Sequence, residues 1–166
     1  MKLFESFGPF KIPLEKGKGG RYVVNGCLKF WEQHPGLSEE RGVYVFAIRA
    51  AKGLRPVYVG KATKSFRREC FASHKIANHY DPEIAKIGKG TPVMFLLVAP
   101  GKESQTQRRL ITQAERFLIG LAQLKNPKLS NVQGKKPPAW GIKGVLRPGQ
   151  GKPSGSALKL RSLLRL

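Results

Sequence analysis

Acidic side chains are scarce in this chain, and their scarcity restricts the chemistry that the chain could perform. Its 166 residues include ten acids, of which Asp81 is the only aspartate. Two-metal phosphoryl-transfer sites cluster several carboxylates around cations about 3.5–4 Å apart. The chain has no run of aspartates, and Asp81-Pro82-Glu83 is typical of a turn or a helix start. A metal-dependent reaction here would therefore use one carboxylate and one ion.

Positive charge dominates the composition. The 31 lysines and arginines exceed the ten acids by 21, and the pI is about 10.5. A small domain of this charge is typical of proteins that bind a polyanion, and nucleic acid is the commonest because each phosphate contact releases counterions. An anionic lipid surface, or basic character without such a partner, is the alternative. Charge does not distinguish a protein that cuts its partner from one that coats it.

Two short apolar segments, residues 43–48 and 57–59, are predicted to form neighbouring strands. Both are rich in β-branched and aromatic residues, and the connecting residues 49–56 contain a glycine, which favours a hairpin. Tyr44 and Tyr58 would then be neighbours on one face of the sheet. They could be ordinary core aromatics whose hydroxyls find local partners.

One of the two phenols could also act as a general base. A phenol pKa near 10 is too high for efficient proton abstraction at neutral pH, so a cation would have to lower it. Lys61, or a bound metal ion, could supply that charge.

The remaining elements are expected to cover this hairpin. The pattern predicts a helix over about 65–79 that ends before the Asp-Pro pair, a buried strand over 92–99, and a long helix from Ser104 to about residue 124. The order strand, strand, helix, strand, helix predicts an α+β sandwich with helices packed on a short sheet that contains antiparallel strands.

Two flanking segments differ in composition from this central part. Residues 1–41 are predicted to form an N-terminal elaboration that packs on the core, with a short strand at 21–24. Residues 135–166 contain four prolines, eight basic residues and no acid, which predicts a flexible or loosely docked basic tail with a short terminal helix. Basic residues of both segments are expected to bind nucleic acid: Lys16, Lys18, Lys135 and Lys136.

Residues 42–134 also resemble a known family. The triplets Gly42-Val43-Tyr44 and Tyr58-Val59-Gly60, separated by thirteen residues, are similar to the paired signature of the GIY-YIG nuclease superfamily, with valine replacing isoleucine in both. This superfamily contains homing endonucleases, restriction enzymes, excision-repair incision subunits and structure-selective nucleases. The resemblance implies the superfamily fold and a metal-dependent endonuclease that hydrolyses DNA phosphodiester bonds.

Downstream residues match the order that the family shows, and the resemblance implies their roles. Tyr44 or Tyr58 would activate water, Arg68 would bind the scissile phosphate, and Glu115 would hold Mg²⁺ or Mn²⁺. Asn131 would support the site by hydrogen bonding.

Other basic residues are secondary candidates for the same site. His74 would contact phosphate or water, and Lys61 and Arg67 would contact the nucleic acid. Arg67 also competes with Arg68 for the arginine role, because it lies nearer the apolar stripe of the predicted helix. That stripe comprises Phe66, Cys70, Ser73 and Ala77.

Structural roles remain open for each of these residues. The arginine pair could be a solvated helix face, and Asn131 could be a turn residue. Glu115 lies at the border of an apolar stripe, where a salt-bridged rim residue is also common. The stripe comprises Leu110, Ile111, Ala114, Phe117, Leu118, Leu121 and Leu124.

Several classes of function are disfavoured by the sequence. No apolar stretch approaches the roughly 18 residues of a membrane span, the first 16 residues do not resemble a secretory signal, and two cysteines are too few for a disulfide scaffold. A zinc site is disfavoured because the spacings within its possible ligands, Cys27, His34, Cys70 and His74, are not standard. We therefore expect a cytoplasmic protein with no membrane partner. A non-catalytic nucleic-acid-binding module on the same fold and a nuclease that acts on RNA are the alternatives, and the oligomeric state stays open.

Overall fold

A mixed five-stranded sheet forms the centre of the fold. The computed structural model describes residues 2–51, 53–86, 90–126, 128–130, 140–145 and 151–164. The strands lie in the order β5-β4-β6-β1-β7, and a separate two-stranded sheet pairs β2 with β3. The strands are β1 Lys2–Lys11, β2 Leu14–Lys16, β3 Tyr22–Val24, β4 Gly42–Ala50, β5 Gly53–Ala62, β6 Thr91–Val98 and β7 Trp140–Ile142. All pairs are antiparallel except β1 with β7, which is parallel.

Helices cover the sheet, so the predicted α+β class is confirmed. The α-helices are α1 Cys27–Gln33, α2 Pro35–Ser38, α3 Phe66–Glu69, α4 Ser73–Lys75, α5 Asp81–Ala85, α6 Gln105–Lys125 and α7 Gly155–Leu164. A 3-10 turn spans Lys18–Gly20, and a π-helical turn, Ile76–Tyr80, joins α4 to α5. None of the helices in the described part of the chain has the length and apolar character that a bilayer crossing requires.

The hairpin β4–β5 confirms the two predicted strands and extends them. Ala50 pairs with Gly53, so both strands continue into the residues expected to form the loop. Gly53 has a φ of 102°, a conformation that glycine adopts without a steric penalty. A bulge lies between Phe46 and Ala47. In the described part of the chain no strand pairs with the outer edge of β5; there the Asn126 amide and the Ser130 N–H donate to the carbonyls of Pro56 and Val57, at 2.7 and 3.0 Å.

Side chains alternate between two apolar clusters on opposite faces of the sheet. Val43, Val45 and Val59 point to the face that α6 and α7 cover. Tyr44 and Tyr58 point to the other face, where the helices between β5 and β6 pack together with α1 and the β2–β3 hairpin. This alternation determines which groups of β5 can meet which helix.

The N-terminal segment contributes more to the sheet than the sequence predicted. The short strand predicted at 21–24 is present as β3, but β1 was not predicted and lies inside the main sheet between β6 and β7. Gly8 and Pro9 interrupt its apolar pattern, and its register shifts between Phe7 and Phe10. The boundaries at 41/42 and 134/135 stay predictions.

The prediction of a flexible or loosely docked tail is wrong for the described residues beyond 139. β7 extends the sheet, and Trp140 is buried against Phe4 and Phe117. Helix α7 buries Leu160 and Leu163 on the same face as α6. Each such side chain contributes about 1.5–3 kcal/mol when it is removed from water, so this segment is part of the core.

The single helix predicted over 65–79 is also wrong, because the chain there forms several short helical pieces. Ser65 begins α3 by accepting a hydrogen bond from the backbone N–H of Arg68 at 3.4 Å. The helix stops after Glu69, so Ser73 and Ala77 are exposed and do not continue the stripe of Phe66 and Cys70. The Asp-Pro pair starts α5 and does not end the helical region.

Candidate active site

The two tyrosines of the paired triplets are neighbours, as predicted. Tyr44 pairs in register with Gly60, and Phe46 pairs with Tyr58, so the tyrosines are diagonal on one face of the hairpin. Their ring centroids are 6.2 Å apart. Tyr44 is fully buried, whereas Tyr58 on the edge strand is only half-buried. Only Tyr58 is therefore positioned to meet a solvent-borne substrate.

The glycines of both triplets are required by close contacts. A Cβ atom at Gly60 would overlap Cζ and Oη of Tyr44 and would lie 2.7 Å from Cε1 of Tyr58. A Cβ at Gly42 would overlap the carbonyl of Leu97 on the adjacent strand β6. Neither glycine has a positive φ, so space and not backbone conformation excludes a side chain. Gly60 leaves the room that the Tyr44 hydroxyl occupies.

Glu115 and Lys61 form an ion pair at the edge of the sheet. Lys61 follows Gly60 on β5 and points to the face that α6 covers, where its Nζ lies 2.9 Å from Oε2 of Glu115. The side chain of Glu115 is 15% exposed and that of Lys61 is 40% exposed. Glu115 borders the buried residues Ile111 and Ala114 on α6, which confirms its predicted place at the rim of the apolar stripe.

A buried lysine lies behind the tyrosines. Lys75 is 8% exposed, and its Nζ donates to the backbone carbonyl of Glu69 at 2.9 Å and to Oε2 of Glu69 at 3.3 Å. The same ammonium lies 5.1 Å from the centre of the Tyr44 ring, a cation–π distance. The Tyr44 hydroxyl donates to the Glu69 carbonyl at 3.5 Å. These contacts join α3 and α4 to the first triplet.

His79 is a site residue that the sequence did not indicate. Its ring centroid lies 4.5 Å from that of Tyr58. Burial, and then the positive charges of His74 and Lys75, lower the pKa of His79, which favours the neutral imidazole. His79 lies on the π-helical turn, and a regular helix would have placed it differently. For that reason sequence periodicity gave no signal for the contact.

Burial and neighbouring groups shift the pKa values of the two phenols to different extents. Burial raises the pKa of Tyr44 far above its ordinary value, and Tyr80 and Cys70 raise it further. Burial and the carboxylate of Glu115 also raise the pKa of Tyr58, whereas a hydrogen bond with Tyr44 lowers it. Tyr44 thus stays protonated, and the pKa of Tyr58 is raised as well, so the cation expected to lower a phenol pKa does not do so in this structure.

The other predicted site residues lie in different situations. Arg67 and Arg68 are both exposed on α3, and His74 is exposed on α4 near His79. Lys16 at the end of β2 and Lys18 in the 3-10 turn are exposed too. The predicted residues Asn131, Lys135 and Lys136 lie outside the described residues.

No family model, curated protein or solved structure matches this chain. A function can therefore be inferred only from the geometry of the described residues.

Most other acids near this region have structural partners. Asp81 accepts the backbone N–H of Val24 at 3.0 Å, which holds β3 against α5. Glu83 pairs with Arg55 and Lys86, at 3.2 and 2.6 Å. Glu115 differs from them because its partner, Lys61, directly follows the second triplet.

A metal ion would find one carboxylate here. Among the residues that the structure describes, no three of His, Cys, Asp and Glu are grouped to hold an ion. Glu115 fits a Mg²⁺ or Mn²⁺ ion that takes its other ligands from water and substrate phosphate, since such ions are commonly bound through one or two carboxylates. Of the possible zinc ligands named from the sequence, Cys70 is fully buried.

Proposed function

We propose that this chain is a metal-dependent endonuclease of the GIY-YIG type that hydrolyses DNA phosphodiester bonds. The observation that carries the proposal is the position of Tyr58. It lies half-buried on the edge strand β5, its ring centroid is 6.2 Å from that of Tyr44, and the carboxylate of Glu115 is one cause of its raised pKa. Lys61, three residues along the same strand, is paired to that carboxylate.

The fold supports the same assignment. The described residues within 42–125 form two antiparallel strands, short helices, a third strand and a long helix, an order compatible with the resemblance. The glycine of each triplet lies where a side chain would collide with the neighbouring strand or with Tyr44. The glycines of both triplets therefore have a structural role, which supports treating the two triplets as one motif.

In this proposal Tyr58 accepts a proton from the attacking water. Tyr44 keeps its proton because burial disfavours its phenolate, and its hydroxyl donates to the Glu69 carbonyl. Lys75 and the Glu69 carbonyl hold Tyr44 in place. His79 packs on the Tyr58 ring and restricts its orientation. These contacts preorganise the base before substrate arrives.

Glu115 would hold the divalent ion, and a bound Mg²⁺ or Mn²⁺ would supply Lewis-acid activation of the phosphate. In the structure Lys61 neutralises this carboxylate, so its ammonium must release or share Glu115 when a cation binds. The released ammonium would then be available to a phosphate oxygen of the substrate.

Exposed basic residues supply the binding surface. Arg68, with Arg67 and His74 nearby in the chain, would bind the scissile phosphate and its neighbours. Lys16 and Lys18 would add affinity that does not depend on base sequence. The large net charge of the chain fits this role.

The test is nicking of supercoiled plasmid in Mg²⁺ and in EDTA, with two variants of equal charge. Glu115→Gln should abolish nicking while DNA affinity in EDTA stays within several-fold. Glu103→Gln is the matched control: Glu103 lies just before the Ser104 cap of α6 and pairs with Arg41 and Arg108 at the surface. Full activity of Glu115→Gln would refute the site.

The same assay separates the alternatives. DNA binding without product in Mg²⁺ or Mn²⁺ would favour a non-catalytic module. Cleavage of an RNA substrate in preference to the matched DNA would favour a ribonuclease.

A further inference from the structure

A cavity lies between β1, the β2–β3 hairpin, α1 and the start of β6, and the two tyrosines do not line it. Its volume is about 620 Å³, within the range of small-molecule sites. Its floor is apolar and includes the buried side chains of Ile12, Phe30 and Ile84. The nuclease chemistry proposed above uses none of these residues.

The rim of this cavity is aromatic and positively charged. Tyr22 is 50% exposed there, one of three large hydrophobic side chains in the described part of the chain that are open to solvent. Lys11 and Lys29 lie on the rim as exposed residues, together with the exposed amide of Gln33. None of the described residues that line the cavity is acidic.

We propose that this cavity binds an unpaired nucleotide of a nucleic acid strand. The base would enter the apolar cavity and stack on Tyr22, the Gln33 amide would meet its polar edge, and the flanking phosphates would lie against Lys11 and Lys29. Aromatic stacking next to cationic side chains is how proteins bind single-stranded segments. The charge complementarity with a polyanion selects this occupant over an apolar peptide. The inference rests on the proposed function for its class of partner.

The cavity and the tyrosine pair are linked across one face of the sheet. Phe30 in the floor contacts Phe71, whose ring lies 6.5 Å from that of Tyr80, and Tyr80 in turn lies 6.1 Å from Tyr58. The cavity floor and Tyr58 therefore belong to the same apolar cluster. The corresponding substrate has an unpaired base, as in a tail, flap or bulge.

The test compares two DNA hairpins with equal numbers of phosphates, one blunt and one with a tail of six thymidines, by fluorescence anisotropy in EDTA. The readout is the ratio of the two affinities, because non-specific charge effects act on both probes. We expect the unchanged chain to bind the tailed hairpin at least tenfold more tightly, and Tyr22→Ala to remove most of that preference. A single stacked base typically contributes roughly 5- to 150-fold.

Matched variants make the result specific. Leu28→Ala removes another exposed hydrophobic side chain, 66% exposed on α1 but outside the cavity lining, and should leave the ratio unchanged. Tyr22→Phe should retain the preference, because the ring is kept. Lys29→Gln should lower the ratio, whereas Lys159→Gln on α7 should weaken both probes equally.

The outcomes separate this inference from the nuclease proposal. An affinity ratio near one for the unchanged chain, or an unchanged ratio in Tyr22→Ala, would overturn the inference even if plasmid is nicked. A ratio that depends on Tyr22 would support it even if Mg²⁺ produces no cleavage. If Tyr22→Ala alters only self-association in sedimentation, the cavity is a contact between copies of the chain and the inference fails.

Discussion

The Nζ atom of Lys61 lies 2.9 Å from Oε2 of Glu115, so a strand residue that directly follows the second triplet neutralises a carboxylate on the long helix. Both side chains are partly open to solvent. A cation that approaches Glu115 must therefore compete with an ammonium that belongs to the same site. A substitution of Lys61 should therefore change the concentration of divalent ion that the proposed reaction requires.

Removing the ammonium should strengthen divalent-ion binding. We expect Lys61→Gln to bind Mn²⁺ up to about fivefold more tightly, because a partly exposed ion pair contributes about 0.2–1 kcal/mol. Titration calorimetry without DNA measures this directly. Lys86→Gln, which takes an ammonium from Glu83, is the control and should not change Mn²⁺ affinity. Equal or weaker binding by Lys61→Gln would contradict the proposed ion site.

Adding one methyl group at Gly60 should displace Tyr44. The new Cβ would overlap Cζ and Oη of that ring, so we expect Gly60→Ala to lower the free energy of unfolding by about 1–3 kcal/mol and to abolish nicking. Urea denaturation measures the stability change. Gly36→Ala, where a Cβ would meet nothing within 4 Å, should be close to neutral.

A double variant identifies the cause of that loss. Tyr44→Phe removes the hydroxyl that the added methyl group would meet. Combined with Gly60→Ala, it should recover part of the lost stability. Strictly additive losses would show that the Tyr44 hydroxyl does not contribute to the collision.

Local patterns in the sequence predicted the part of the fold that depends on local contacts. The β4–β5 hairpin and helix α6 were recognisable because β-branched residues, Gly53 and the Ser104 cap act within a few residues of one another. The Ser104 side chain indeed accepts the N–H of Gln107 at 3.1 Å. The prediction that Tyr44 and Tyr58 are neighbours followed from that predicted hairpin.

Non-local contacts decided the elements that the sequence did not predict. β1 is interrupted by Gly8 and Pro9 and becomes a strand because β6 and β7 pair with it from both sides. The terminal helix was predicted, but the proline and glycine content of the tail concealed that α7 is buried against the sheet. In the same way, the packing of His79 on Tyr58 depends on a π-helical turn that has no distinct sequence period.

The pH dependence of cleavage should identify the base. Burial and Glu115 raise the pKa of Tyr58 above its ordinary value, so its deprotonated fraction is small at pH 7 and grows about tenfold per pH unit through pH 9. We expect the single-turnover rate at saturating Mg²⁺ and DNA to rise with that slope. The rate of Tyr58→Phe should not rise with pH in this way, whereas the rate of Tyr22→Phe, at an exposed residue of β3, should rise with the same slope.

A flat profile above pH 7 would instead assign the base to His79. The pKa of that imidazole is lowered from its ordinary value by burial, so it would already be neutral at pH 7 and its contribution would not increase further. His79→Gln would then remove activity at every pH. If Tyr58 is the base, His79→Gln should lower the rate but leave the slope intact.

The adjacent arginines of α3 provide a matched pair for the phosphate contact. Arg67 and Arg68 are both exposed, so either alanine substitution removes one charge from the same surface and should weaken DNA binding similarly. Only the arginine that binds the scissile phosphate stabilises the transition state. We therefore expect the cleavage rate of Arg68→Ala at saturating DNA to be at least tenfold lower than that of Arg67→Ala. Single-turnover nicking measures both variants. The reverse ranking would move the role to Arg67, and equal small losses would show that neither side chain contacts the reacting phosphate.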